Sequence, residues 1–110
     1  MRGRYRRALV KLSGEALMGD RAFGIDAKTV ENLAQQIRRA VDDGVQVCVV
    51  VGGGNFWRGA TVAETGMDRA TADYAGMLAT IMNGLALQDA LEKVGAFVRM
   101  QTAIPLAQVA

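Results

Sequence analysis

Arg7-Ala8-Leu9-Val10-Lys11-Leu12-Ser13-Gly14 and Val45-Gln46-Val47-Cys48-Val49-Val50-Val51-Gly52-Gly53-Gly54-Asn55 decide the fold of this chain. Each is a short apolar run that breaks off at glycine, as a strand does where it enters a loop. The second run is almost unbroken and β-branched, the pattern of an interior parallel strand buried on both faces. Two such strands side by side would set two glycine loops next to each other, with the Lys11 ammonium beside them. Backbone N–H groups in that arrangement bind anions, phosphate above all.

The residues between and after the two runs read as helices. Asp26 is placed to cap a helix over 27–43, whose Val30, Leu33, Ala34, Ile37, Ala40 and Val41 share one face. Gly44 suits its left-handed stop. A longer helix is expected from Asp68 to Lys93, with an apolar stripe of Tyr74, Met77, Leu78, Ile81, Met82 and Leu85. Gly76 and Gly84 weaken it by about 1 kcal/mol each relative to alanine, which is tolerable where another backbone, such as that of a partner subunit, packs close. Gly95 ends it, and 96–102 reads as a third strand. The order βαβαβ gives the fold class: α/β, an open and mostly parallel sheet with helices on both faces. Residues 1–110 read as one portion of a single domain, because 104–110 carries no closing element.

Composition narrows the function. The chain has 110 residues, 51% of them apolar and 22% charged, with a net charge of +2, which is ordinary globular composition. It contains no histidine, so the commonest general base and metal ligand are absent from it. Cys48 is the single cysteine and is expected to be a buried apolar side chain; with no partner for an intrachain disulfide, a reducing cytoplasm fits. No apolar run reaches membrane-spanning length. Arg2, Arg4, Arg6 and Arg7 around Tyr5 read as solvated residues before the first strand, with a nucleic-acid arm as the rival.

Three phosphate-loop readings compete. A dinucleotide fingerprint needs a third glycine where Trp57 stands, and that bulk would block close helix–strand packing. A Walker-type loop over 54–61 needs lysine where Ala60 stands, which removes the cation that meets the β- and γ-phosphates. The third reading joins both strand ends: Lys11 supplies charge, Ser13, Gly14 and Gly52–Gly54 supply backbone donors, and Arg58 can fork onto a second anion. Its bland alternative is a tight turn at Gly52–Gly54 and a surface lysine. Trp57 reads as an apolar plug or subunit contact ahead of an adenine platform, and Met67, Met77 and Met82 as core or interface residues.

Lys11-Leu12-Ser13-Gly14-Glu15-Ala16-Leu17, Phe23-Gly24-Ile25-Asp26, Val51-Gly52-Gly53-Gly54-Asn55, Arg58-Gly59, Asp73 to Thr80 and Met82 to Ala86 together resemble the bacterial uridylate (UMP) kinases of the amino-acid-kinase superfamily. The resemblance spans nearly the whole chain and corresponds to the N-terminal half of such an enzyme. It implies transfer of the γ-phosphoryl group of ATP to UMP, giving UDP, with Mg2+ accompanying ATP. Lys11 and Arg58 would be catalytic. Lys11, Leu12, Ser13, Gly14, Gly54 and Arg58 would bind ATP, and Gly53 and Asp73 would bind UMP. A cytoplasmic homo-oligomer, a hexamer, is implied, and the Gly19–Gly24 loop corresponds to a segment tied to a GTP effector in some members. The alternative is a non-catalytic nucleotide-binding or oligomerisation module, since the other half of the site lies outside these residues.

Overall fold

A computed structural model describes residues 6–57, 66–102 and 104. Two strands, β1 (Arg7–Leu12) and β2 (Gln46–Val51), pair in parallel from Arg7↔Gln46 to Leu12↔Val51. Between them come a 3₁₀ turn, Gly14–Leu17, and helix α1, Ala27–Asp42. Helix α2, Arg69–Lys93, follows β2.

Capping chemistry sets the helix limits. The Asp26 carboxylate accepts hydrogen bonds from the Thr29 N–H at 3.0 Å and the Thr29 hydroxyl at 2.6 Å. Asp68 accepts from the Thr71 N–H at 3.2 Å. Both helices end in the same six-residue hydrogen-bond pattern. Gly44 (φ +92°) and Gly95 (φ +85°) take the left-handed position, and the N–H of the next residue reaches back to Ala40 and Leu91 respectively. Helix α1 stops one residue short of its expected end, within ordinary fraying.

The core forms where α1 and α2 cross one face of the sheet. Leu17, Val30, Ala34, Leu87 and Leu91 are buried there, with Leu12, Val49 and Val51 packed against them. The opposite face carries Leu9, Lys11, Cys48 and Val50, all exposed, with Leu9 at 70% and Val50 at 50%. This corrects two expectations: β2 is not buried on both faces, and Cys48 is exposed. A β-branched run reports a preference for strand, whereas coverage depends on which faces the helices take. Here both take the same one.

Helix α2 also divides its apolar residues. Ile81, Leu87 and Leu91 turn inward with Ala72 and Ala79, while Tyr74, Leu78, Met82 and Leu85 stay at the surface. Its glycines accommodate side chains of the chain itself. A Cβ on Gly84 would lie 2.6 Å from Met100 Cε, and one on Gly76 would touch Trp57 at 3.5 Å.

The expected third strand is also corrected. Residues 96–102 have alternating burial but pair with no strand among the described residues. A cavity of about 460 Å3, lined by Val47–Val51 of β2 and by 96–102, lies along that side of the sheet. Phe97 is 94% exposed. Among the described residues, no helix is long and apolar enough to cross a membrane. The expectations for Arg2 and Arg4 lie outside the described residues.

Candidate functional site

Parallel pairing brings the carboxyl ends of β1 and β2 together, and the two glycine loops meet there. The Gly52 N–H donates to the Leu12 carbonyl at 2.9 Å, one step beyond the ladder. A Cβ on Gly14 would lie 2.5 Å from both Gly54 N and Asn55 Oδ1. Gly14 is buried and opens the 3₁₀ turn.

None of Gly52, Gly53 and Gly54 has a positive φ. These glycines are required by close approach instead. A Cβ on Gly53 would sit 2.8 Å from Ala79 Cβ, 3.0 Å from Thr80 N and 3.1 Å from Gly76 O, so the loop lies directly on α2. A Cβ on Gly54 would collide with the Glu15 carboxylate. Gly52 has ordinary room, its nearest neighbour being Gly14 N at 3.5 Å.

The expected site residues distribute as follows. Lys11 is exposed on the open face of β1, paired in register with Val50. Leu12 packs toward the core and its carbonyl is taken by Gly52, so its side chain is turned away from the loops. Ser13 is exposed and precedes the 3₁₀ turn without a side-chain cap bond. Gly53 and Gly54 are half-buried in the second loop. Asp73 is exposed and forms an ion pair with Arg69, 3.1 Å apart and one helical turn away. It lies three residues before Gly76, where the loop touches α2. Arg58 lies outside the described residues. Trp57 is half-buried, and its indole N–H donates to the Ala72 carbonyl at 2.6 Å.

A third loop joins the same cluster. The Gly24 N–H donates to the Asn55 carbonyl at 2.9 Å, and Phe23 meets Phe56 edge to face at 5.4 Å. Gly19 (φ +59°) and Gly24 (φ +83°) supply the left-handed turns of that loop. At its end, the hydroxyl and N–H of Thr29, followed by Arg21, hold the Asp26 carboxyl below its ordinary value of 3.8.

Sequence reasoning missed two buried asparagines. Asn55 and Asn83 exchange reciprocal amide hydrogen bonds of 3.0 and 2.7 Å. Asn55 also donates to the Gly24 carbonyl at 2.9 Å, and Asn83 to the Gly52 carbonyl at 2.7 Å. The available signal was Asn83 itself, a poor helix former set among apolar residues of a long helix. Glu15 was quoted only as part of a motif, yet its carboxylate lies at Gly54.

Backbone amides gathered at two strand ends are groups that suit an anion with several oxygens. The comparisons with known proteins point the same way. Residues 6–105 match the amino acid kinase family. The chain is 56% identical over 107 residues to the uridylate kinase of Limosilactobacillus reuteri (strain DSM 20016), covering 97% of this chain and 45% of that protein. Its fold superposes on the UMP kinase of Ureaplasma parvum with a TM-score of 0.86 at 39% identity, covering 96% of this chain and 45% of that one. For the UMP kinase of Bacillus anthracis the TM-score is 0.74 at 43% identity, with 81% and 36% covered. The chain thus spans a little under half the length of these relatives. It belongs to the amino acid kinase family, as a match to the N-terminal portion of the uridylate kinases.

Proposed function

We propose that the full-length protein carrying this chain transfers the γ-phosphoryl group of ATP to UMP, giving UDP, and so serves pyrimidine nucleotide synthesis in the cytoplasm. The observation that carries the reading is the junction of the two strand ends. Lys11, Ser13–Gly14 and Gly52–Gly54 converge at one edge of the sheet, in a chain 56% identical to a protein named uridylate kinase. Phosphoryl transfer asks for positioning and charge neutralisation rather than a strong base, and a lysine with two glycine loops offers both.

In this reading Lys11 stabilises charge on the transferring group, and Leu12 contributes only backbone. Ser13, Gly14 and Gly54 hold ATP phosphates, and Arg58 meets the phosphates between the two substrates. Gly53 approaches UMP closely, and Asp73 accepts hydrogen bonds from its ribose or base. Mg2+ accompanies ATP and offsets phosphate charge. Among the described residues no three His, Cys, Asp or Glu side chains cluster as a cation cage. Residues 1–110 would form the N-terminal portion of a single kinase domain.

The exposed stripe Tyr74, Leu78, Met82 and Leu85 on α2 supports self-association, with a hexamer as the assembly and GTP as a candidate effector. It is also what favours the second reading, a module that binds nucleotide and assembles without transferring phosphate. Assays of the full-length protein with ATP and either UMP or CMP decide between them. The expected result is UDP from UMP, little product from CMP, and a loss of about 10²–10³-fold in kcat for Lys11→Ala with the fold intact. Nucleotide binding with no UDP supports the module, and unchanged turnover in Lys11→Ala removes the role given to that lysine.

A further inference from the structure

The glycine loop that opens the anion site cannot set its own shape. Three consecutive glycines have the least conformational preference of any tripeptide, and none of these three is fixed by a left-handed turn. Their geometry is therefore imposed by what surrounds them. The restraints include the Gly52 N–H to Leu12 bond, the Gly53 carbonyl accepting from the Phe56 and Trp57 N–H groups, the contact of Gly53 with α2 and the Glu15 carboxylate at Gly54. Another is the pair of buried amides, Asn55 at 2% and Asn83 at 0% exposure.

An apolar pair would fill the same space without the desolvation cost of two amides. What amides add is direction. The four side-chain N–H groups of the pair are all used: two close the reciprocal contact, and two reach outward to the carbonyls of Gly52 and Gly24. Three backbones are thereby tied at one point: the start of the glycine loop, the end of the Gly19–Gly24 loop, and the middle of α2. Gly14, from the β1 loop, packs against the Oδ1 of Asn55, so the pair also abuts the other half of the anion floor.

We propose that Asn55 and Asn83 are positioning residues for phosphoryl transfer: by fixing the Gly52 end of the loop they hold Gly53 and Gly54 at the height and orientation at which these meet substrate, without touching substrate themselves. This rests on the kinase reading above. It assigns to Asn83, 28 residues from its partner, control over a loop with which it shares no local sequence.

The test uses the full-length protein with Asn83→Leu, which keeps the branched shape with somewhat more bulk and removes every hydrogen bond made by the Asn83 amide, and Asn83→Asp, which keeps the size and an acceptor for Asn55 but loses both donors. Each is assayed at a temperature where circular dichroism shows it folded. A loop displaced by about 1 Å should lower kcat/KM by about 10²-fold, with KM for UMP raised. Amide exchange at Gly53, Gly54 and Gly24 should be at least about 10-fold faster, with that of α1 unchanged. A defect of folding alone would reduce the active fraction and leave KM where it was. Wild-type KM and loop exchange in either folded variant overturn the proposal. So does failure of both variants to fold, which would make the pair a core element only. A wild type that forms no UDP refutes the kinase reading, and the exchange measurement then decides on the pair by itself.

Discussion

Replacing Gly53 with alanine places a methyl group 2.8 Å from Ala79 Cβ, 3.0 Å from Thr80 N and 3.1 Å from Gly76 O. Carbon atoms rest about 3.5–4.0 Å apart, so the loop must retreat from α2 by roughly 1 Å. None of the three neighbours can yield, because two are helix backbone and the third is a Cβ. Overpacking of this kind costs about 1–3 kcal/mol, and Tm falls by about 2–4 °C per kcal/mol in chains of 150–250 residues. The catalytic effect is larger, because a displacement of about 1 Å at a reacting centre costs on the order of 10² in rate. Gly52→Ala is the matched control. Its Cβ meets only Gly14 N at 3.5 Å, with no positive φ to strain, and it should stay within about 0.5–1 kcal/mol of wild type. Thermal melts and steady-state kinetics of the full-length protein read both effects. The reasoning is refuted if Gly53→Ala melts and turns over like wild type, or if Gly52→Ala is the more damaging of the two.

Two further outcomes are expected. Arg69→Ala and Asp73→Ala each break the same exposed ion pair, worth about 0.3–0.5 kcal/mol, so both should leave Tm nearly unchanged. Only Asp73→Ala should raise KM for UMP, and equal effects of the two on KM would remove the substrate role given to Asp73. The Asp26 cap, with its carboxyl held below 3.8 by Thr29 and Arg21, contributes stability above that value and loses it as pH falls through the lower folded value. The Tm difference between wild type and Asp26→Asn should therefore shrink on acidification below 3.8; a difference constant with pH would refute the assignment.

The local grammar of the chain was legible from its residues. Asp26, Gly44 and Gly95 mark helix limits through chemistry that acts within a few residues, and the two strand ends meet as their patterns imply. What required the third dimension was coverage and reach. Val45–Val51 carries no mark of which face a helix will take, so the exposure of Cys48 could not be read from it. Whether 96–102 pairs with β2 is a tertiary matter that no local pattern encodes. At Gly52–Gly54 a tight turn stayed open as the rival to a phosphate loop because glycine serves both turns and close approaches, and only the position of α2 shows that close approach is what requires Gly53. The asparagine pair was hidden by the 28 residues between its members. At the site, the meeting of the two glycine loops was legible from the strand ends, whereas the Glu15 carboxylate at Gly54 became visible only once the loops were laid together.

The joint between Asn55 and Asn83 has no ionisable atom. On the kinase reading, the loop would receive and release several negative charges in each turnover, and an anchor made of carboxylates or ammonium groups would tighten and slacken with each of them. Screening by salt would change such an anchor as well. Amide hydrogen bonds sealed from water respond to neither. On that reading the arrangement would separate two tasks: mobile charge is met at the exposed lysine, and mechanical reference is kept by the neutral Asn55–Asn83 clasp. The hydrogen bonds of the clasp should accordingly be the same in dilute buffer and in high salt, whereas the Gly54 end of the loop, against the Glu15 carboxylate, is where salt and a bound anion are felt.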